Sequence, residues 1–246
     1  MLFIGICGAS GSGKSTLAQE LATMVNRSIL IINQDAYYLD HPDLSFEERC
    51  RLNYDEPSVF DHDLLLEDVK KLLSGERVPK KRYDYTRHCR ADVPGVFMEP
   101  HDVIIVEGIH AFYDPRLRDM MDMKLYMHVE SDICLLRRIE RDARTRGYSA
   151  RATIQMWPSV RKGEENNIFP YQDSADKIFN SALIYETALL KPYVEPLLFG
   201  VPKDCEEYVE AKRLLKFLNY FLPLPADDVP KTSLMREFVG GGCYKT

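Results

Sequence analysis

Residues 8–15 read GASGSGKS and fit G-x-x-x-x-G-K-[ST], with the apolar run LFIGIC before them and the amphipathic run KSTLAQELATMV after them. This spacing makes physical sense as a strand that turns through a glycine loop into a helix. Glycines let successive backbone N–H groups converge on one anion, and the helix N-terminus adds the positive end of its dipole. Lys14 then reaches the β/γ-phosphates, and the Ser15 hydroxyl is placed to ligate Mg²⁺. The loop therefore predicts a nucleoside triphosphate site built from Gly8, Ala9, Ser10, Gly11, Ser12, Gly13, Lys14, Ser15 and Thr16.

Further short β-branched runs, SILIIN, DVIIVEG and KLYMHV, alternate with amphipathic segments such as DHDLLLEDVKKLLSG and DICLLRRIERDAR. Near-continuous apolar strands separated by helices indicate a parallel sheet covered on both faces. The expected fold is an α/β P-loop NTPase with a doubly wound parallel sheet. Between Lys80 and Met98 the polar-aromatic pattern predicts an inserted β-hairpin, spanning about 78–98. After Ser149 come a helical stretch to about Ile168, a final strand in DKIFNSAL, helices in YETALLKPYVEPLL and CEEYVEAKRLLKFLNYFL, and an irregular Pro/Gly-rich end. The expected division is a P-loop domain over 1–200, with a lid at about 137–150, and a C-terminal helical extension and tail over 201–246.

The stretch LLRRIERDARTRGYS, Leu135 to Ser149, gathers five arginines in a chain of net charge −6. Nucleic acid, an acidic partner surface and the phosphates of a small substrate are the competing explanations. A pI near 5.6 argues against a dedicated nucleic-acid binder, so no nucleic-acid partner is expected. Apolar runs fall far short of the roughly 20 residues of a membrane helix, and MLFIGICG lacks the basic start and cleavage site of a signal peptide. A cytoplasmic location is the expectation. The six cysteines lie apart, without zinc spacing, and are read as reduced structural thiols.

Absences narrow the kind of NTPase. There is no N-K-x-D guanine-reading motif, and DVIIVEG ends in the single acid Glu107 rather than in the Asp-Glu pair of a motor ATPase. A carboxylate at a strand tip beside the loop suits a Mg²⁺ ligand. Asp35, in INQDAYY, falls at the end of the second strand, where α/β ligands gather. An acid there can accept the proton of an attacking hydroxyl and help position the metal, the combination a kinase needs; a helix-capping role is its alternative.

Taken in order, GASGSGKST, INQDAYY, NYDEPSVFD, YDYTRH, VIIVEGIHAFY and RRIERDARTRG resemble the uridine kinase (uridine-cytidine kinase) family of P-loop kinases, relatives of phosphoribulokinase, over roughly residues 3 to 150. The chain also resembles a uridine kinase-like subgroup with the same C-terminal helices, in which an additional N-terminal region often precedes the kinase. The resemblance implies ATP- and Mg²⁺-dependent phosphorylation of a nucleoside 5′-hydroxyl, uridine or cytidine first. It implies Asp35 as catalytic base and, with Ser15 and Glu107, as metal ligand; Asp55 on the ribose hydroxyls; Tyr83, Tyr85 and His88 around the pyrimidine; and Tyr38, Tyr54 and Ile109 as pocket residues. Arg138 matches a substrate-side arginine, and Arg141 and Arg146 match catalytic lid arginines facing the phosphates. Arg137 and Arg144 are expected on a solvated basic face. Tyr148 stands where pyrimidine kinases carry another arginine, and Met156 stands near an expected glutamine. A kinase for another small acceptor such as a sugar phosphate, and a non-catalytic nucleotide-binding module, stay open, as does a homo-oligomer built on the C-terminal helices.

Overall fold

In the computed structural model, which describes residues 1–243, nine strands and nine α-helices are found among the described residues. The strands are β1 (Leu2–Gly8), β2 (Ile29–Asn33), β3 (Val78–Pro79), β4 (Tyr83–Asp84), β5 (Cys89–Arg90), β6 (Phe97–Met98), β7 (Val103–Glu107), β8 (Met123–His128) and β9 (Lys177–Asn180). The helices are α1 (Lys14–Met24), α2 (Phe46–Cys50), α3 (His62–Leu73), α4 (Pro115–Arg118), α5 (Ser131–Thr145), α6 (Ala150–Asn167), α7 (Glu186–Phe199), α8 (Glu207–Leu218) and α9 (Arg236–Val239).

Five strands form the expected parallel sheet in the order β2-β7-β1-β8-β9. β1 is central because six of its seven residues are buried, whereas all of β9 is exposed at the edge. Its period of two divides it between two layers. Phe3 and Cys7 face the core shared with Leu65, Val69 and Leu72 of α3, and Ile4 and Ile6 pack with Ala18 of α1. The chain leaves β1 toward β2, returns through β7, then crosses to β8, so the glycine loop opens at the point where strand order reverses. That is where open α/β sheets bind ligands.

The hairpin is present as two short ladders, β3 with β6 and β4 with β5. A third cluster joins α5, α6, α7 and α8: Leu135, Ile139, Val160, Leu190, Leu214 and Leu218 all belong to it. The irregular end contributes fully buried Met235 and Phe238 to the same cluster; its last three residues lie outside the described residues. No helix among the described residues is long and apolar enough to cross a membrane.

Arg137 departs from the expected solvated face. It is fully buried, because α7 packs on α5 and brings Glu186, at its first turn, against the guanidinium. Nη1 also donates to the Gly11 carbonyl at 2.8 Å, so this ion pair braces the glycine loop from behind. Arg144 does lie half-exposed, paired with Glu140 one turn earlier at 3.1 Å.

Candidate active site

Gly13 is the N-cap of α1, and no side chain caps the helix's first turn. Gly11, Gly13, Lys14 and Ser15 line a cleft there, so the uncapped end of the helix borders it. Gly13 sits at φ +86°, and Gly8 at φ +149°, where an added Cβ would come 2.3 Å from the Met127 carbonyl; both positions require glycine. Lys14 is buried and folds back on the Ala9 carbonyl at 2.9 Å.

Ser15, Glu107 and Asp35 line the same cleft. Ser15 Oγ donates to Glu107 Oε1 at 2.9 Å. Burial raises the Glu107 carboxyl to about 7; Lys14 draws it down, while Asp35 pushes it up. A bound cation would replace the stabilisation that burial removes, so this donor set of one hydroxyl and two carboxylates fits Mg²⁺. Asp35 stands on the short helical turn Gln34–Tyr37 that closes β2; Asn33 caps that turn by accepting from the Asp35 N–H at 2.8 Å. The Asp35 carboxylate is thereby left to the cleft, where its Oδ2 accepts from the Tyr85 hydroxyl at 3.0 Å.

Beside this cleft lies a pocket lined by Tyr38, Tyr54, Asp55, Tyr83, Tyr85, His88 and Arg138, and also by Tyr148 and Met156. Tyr38 stacks on Phe60 with centroids 4.3 Å apart, and the Tyr38 hydroxyl donates to the Tyr54 carbonyl. The Tyr83 hydroxyl donates to that of Tyr54, whose ring stacks on His88 at 4.9 Å. Burial, then Arg49 and Arg146, lower the His88 pKa, so the ring is neutral near pH 7. Its Nε2 lies 3.3 Å from the Tyr148 hydroxyl. Asp55 receives both terminal nitrogens of Arg138, at 3.2 and 3.3 Å, while Ile109 lines the phosphate side.

The arginines converge on a group that the sequence reading did not single out. Asp142 is fully buried and holds Arg141 at 2.8 Å, Arg138 at 3.3 Å and Arg146 at 3.6 Å. Burial raises its pKa, but the three guanidinium groups outweigh that and hold the carboxyl below its usual range. The signal was in the spacing: 138, 142 and 146 lie four apart on one helix face. Arg141 also approaches the Ser10 hydroxyl, and Arg146 lies over the Tyr85 ring, 4.7 Å from its centroid. Glu237, from α9, is the other unforeseen wall of the phosphate cleft.

With this geometry in hand, known proteins place the chain. The sequence model of the "Phosphoribulokinase / Uridine kinase family" matches residues 3–188. The chain belongs to this family. A uridine kinase of Halalkalibacterium halodurans is 45% identical over 160 residues, covering 65% of this chain and 75% of that protein. A uridine kinase of Staphylococcus haemolyticus is 45% identical over 177 residues, 71% of this chain and 85% of its own length. Among solved structures, phosphoribulokinase from Rhodobacter spheroides superposes with a TM-score of 0.53 at 19% identity, covering 73% of this chain and 69% of that one. It shows the family's fold.

Proposed function

We propose that this family member is an ATP- and Mg²⁺-dependent kinase that phosphorylates the 5′-hydroxyl of a nucleoside, with uridine and cytidine as first acceptors. The observation that carries the reading is a shared wall. Tyr38, Tyr54, Asp55, Tyr85, Arg138 and Arg146 line both the phosphate cleft and the aromatic pocket. A flat ring held in the pocket therefore puts its attached sugar beside Asp35. The kinase names of the Halalkalibacterium and Staphylococcus relatives support the same activity.

In this reading Asp35 orients the acceptor hydroxyl and takes its proton, and Tyr85 fixes the carboxylate that does so. Lys14 and the loop N–H groups hold the β/γ-phosphates. Ser15, Asp35 and Glu107 would hold Mg²⁺, which neutralises charge on the phosphoryl oxygens when bound. Arg141 and Arg146 stabilise charge developing on the transferred group, and rigid, permanently charged forks suit that work. Of the five-arginine stretch, Arg138, Arg141 and Arg146 then serve the protein's own substrates, since they line the cleft, while Arg137 braces the glycine loop. We read 1–200 as the kinase domain and 201–246 as an extension built onto its third core cluster, and a cytoplasmic setting goes with this activity.

The test is ATP consumption with uridine, cytidine, adenosine, guanosine, their 2′-deoxy forms and ribulose 5-phosphate. Uridine and cytidine should be phosphorylated, and the 2′-deoxy forms should be slower. Asp55 already receives Arg138, so a missing hydroxyl does not leave it unpaired. One or two charge-assisted hydrogen bonds lost, at roughly 1.5 kcal/mol each, give about 10- to 10²-fold in kcat/KM. Activity with the sugar phosphate alone, or with no acceptor while ATP binds, would reject the nucleoside reading.

A further inference from the structure

The C-terminal segment reaches the glycine loop from outside the family-matched residues 3–188. Leu234 lies against Gly13, so closely that a Cβ there would come 2.6 Å from its Cδ1. Phe238 is fully buried beneath the Arg137 guanidinium, 5.3 Å from it, and Arg144 donates to the Glu237 carbonyl. These three anchors fix Glu237. Its Oε2 accepts from the Thr16 hydroxyl at 2.6 Å, and the side chain lines the cleft together with Lys14, Ser15 and Arg141.

Thr16 lies in the first turn of α1, among the donors that a triphosphate would use. A carboxylate seated there already satisfies one of those donors and places a negative charge where more negative charge must enter. We propose that Glu237 is an affinity-determining residue of the phosphate site: an internal anion on the Thr16 hydroxyl that an incoming triphosphate displaces, so that the C-terminal segment tunes donor binding. The proposal rests on the triphosphate reading of the glycine loop. It adds to that reading a residue the family-matched region does not contain. Displacement takes place at the Glu237 side chain, since Leu234 packs tightly on Gly13 and holds the segment in place.

The experiment compares the full chain with Glu237→Gln by calorimetric titration with inorganic tripolyphosphate and with ATP, each with Mg²⁺. Glutamine keeps an acceptor for Thr16 and removes the charge. Both ligands should bind the variant about tenfold more tightly, the scale of one like-charge contact relieved in a partly solvated site. A purely structural role predicts the opposite sign: a loosened segment, a lower melting midpoint and weaker binding of both ligands. Equal or weaker binding by the variant overturns the proposal and leaves the triphosphate site standing. Binding of neither ligand to either protein overturns both.

Discussion

Replacing Asp35 by asparagine should lower turnover with uridine by about 10²- to 10⁴-fold, the usual weight of a general base, while ATP still binds. The geometry makes this a clean substitution. Asn33, not Asp35, caps the turn after β2, so the backbone does not depend on the carboxylate. The Tyr85 hydroxyl keeps an oxygen acceptor in the amide. What is lost is basicity toward the acceptor hydroxyl and one anionic donor for Mg²⁺. Steady-state turnover, with nucleotide binding measured separately, decides the matter. Turnover within a few-fold of the parent would remove Asp35 from the mechanism.

The second large effect is on stability. Arg137→Ala should cost about 3–5 kcal/mol, because it leaves the fully buried Glu186 carboxylate without its counter-charge. In a chain of 246 residues that corresponds to a fall in Tm of roughly 6–20 °C. Urea and thermal unfolding would measure it. The double variant Arg137→Met, Glu186→Leu should recover much of the loss, since it removes both charges together. A loss under about 1 kcal/mol for the single variant would show that the buried pair does not brace the loop.

Much of this was legible in the sequence for identifiable reasons. The strand-loop-helix of residues 2–24 follows from local chemistry: apolar run, glycines, Lys-Ser, helix formers. Asp35 and Glu107 could be placed because strand ends are legible and ligands gather there. The fate of Arg137 was not legible, because burial of an arginine depends on Glu186, a residue 49 positions away. Asp142 sat in plain view at four-residue spacing, but a carboxylate among arginines reads first as local charge balance. Glu237 lay in a Pro/Gly-rich stretch whose irregularity said nothing about where it would pack. Contacts across more than 200 residues, such as Thr16 with Glu237, leave no periodic trace.

The wall common to the two cavities also limits how acceptor choice can evolve or be engineered. On the proposed function, changes at Tyr85, Arg138 or Arg146, which line both cavities, would reach the donor chemistry as well as the acceptor, so selection for a new base would penalise them. His88, Tyr148, Met156 and Ser159 line only the aromatic pocket. They form a separable module, and divergence in base preference among relatives that keep the same rate of phosphoryl transfer should concentrate at these four positions.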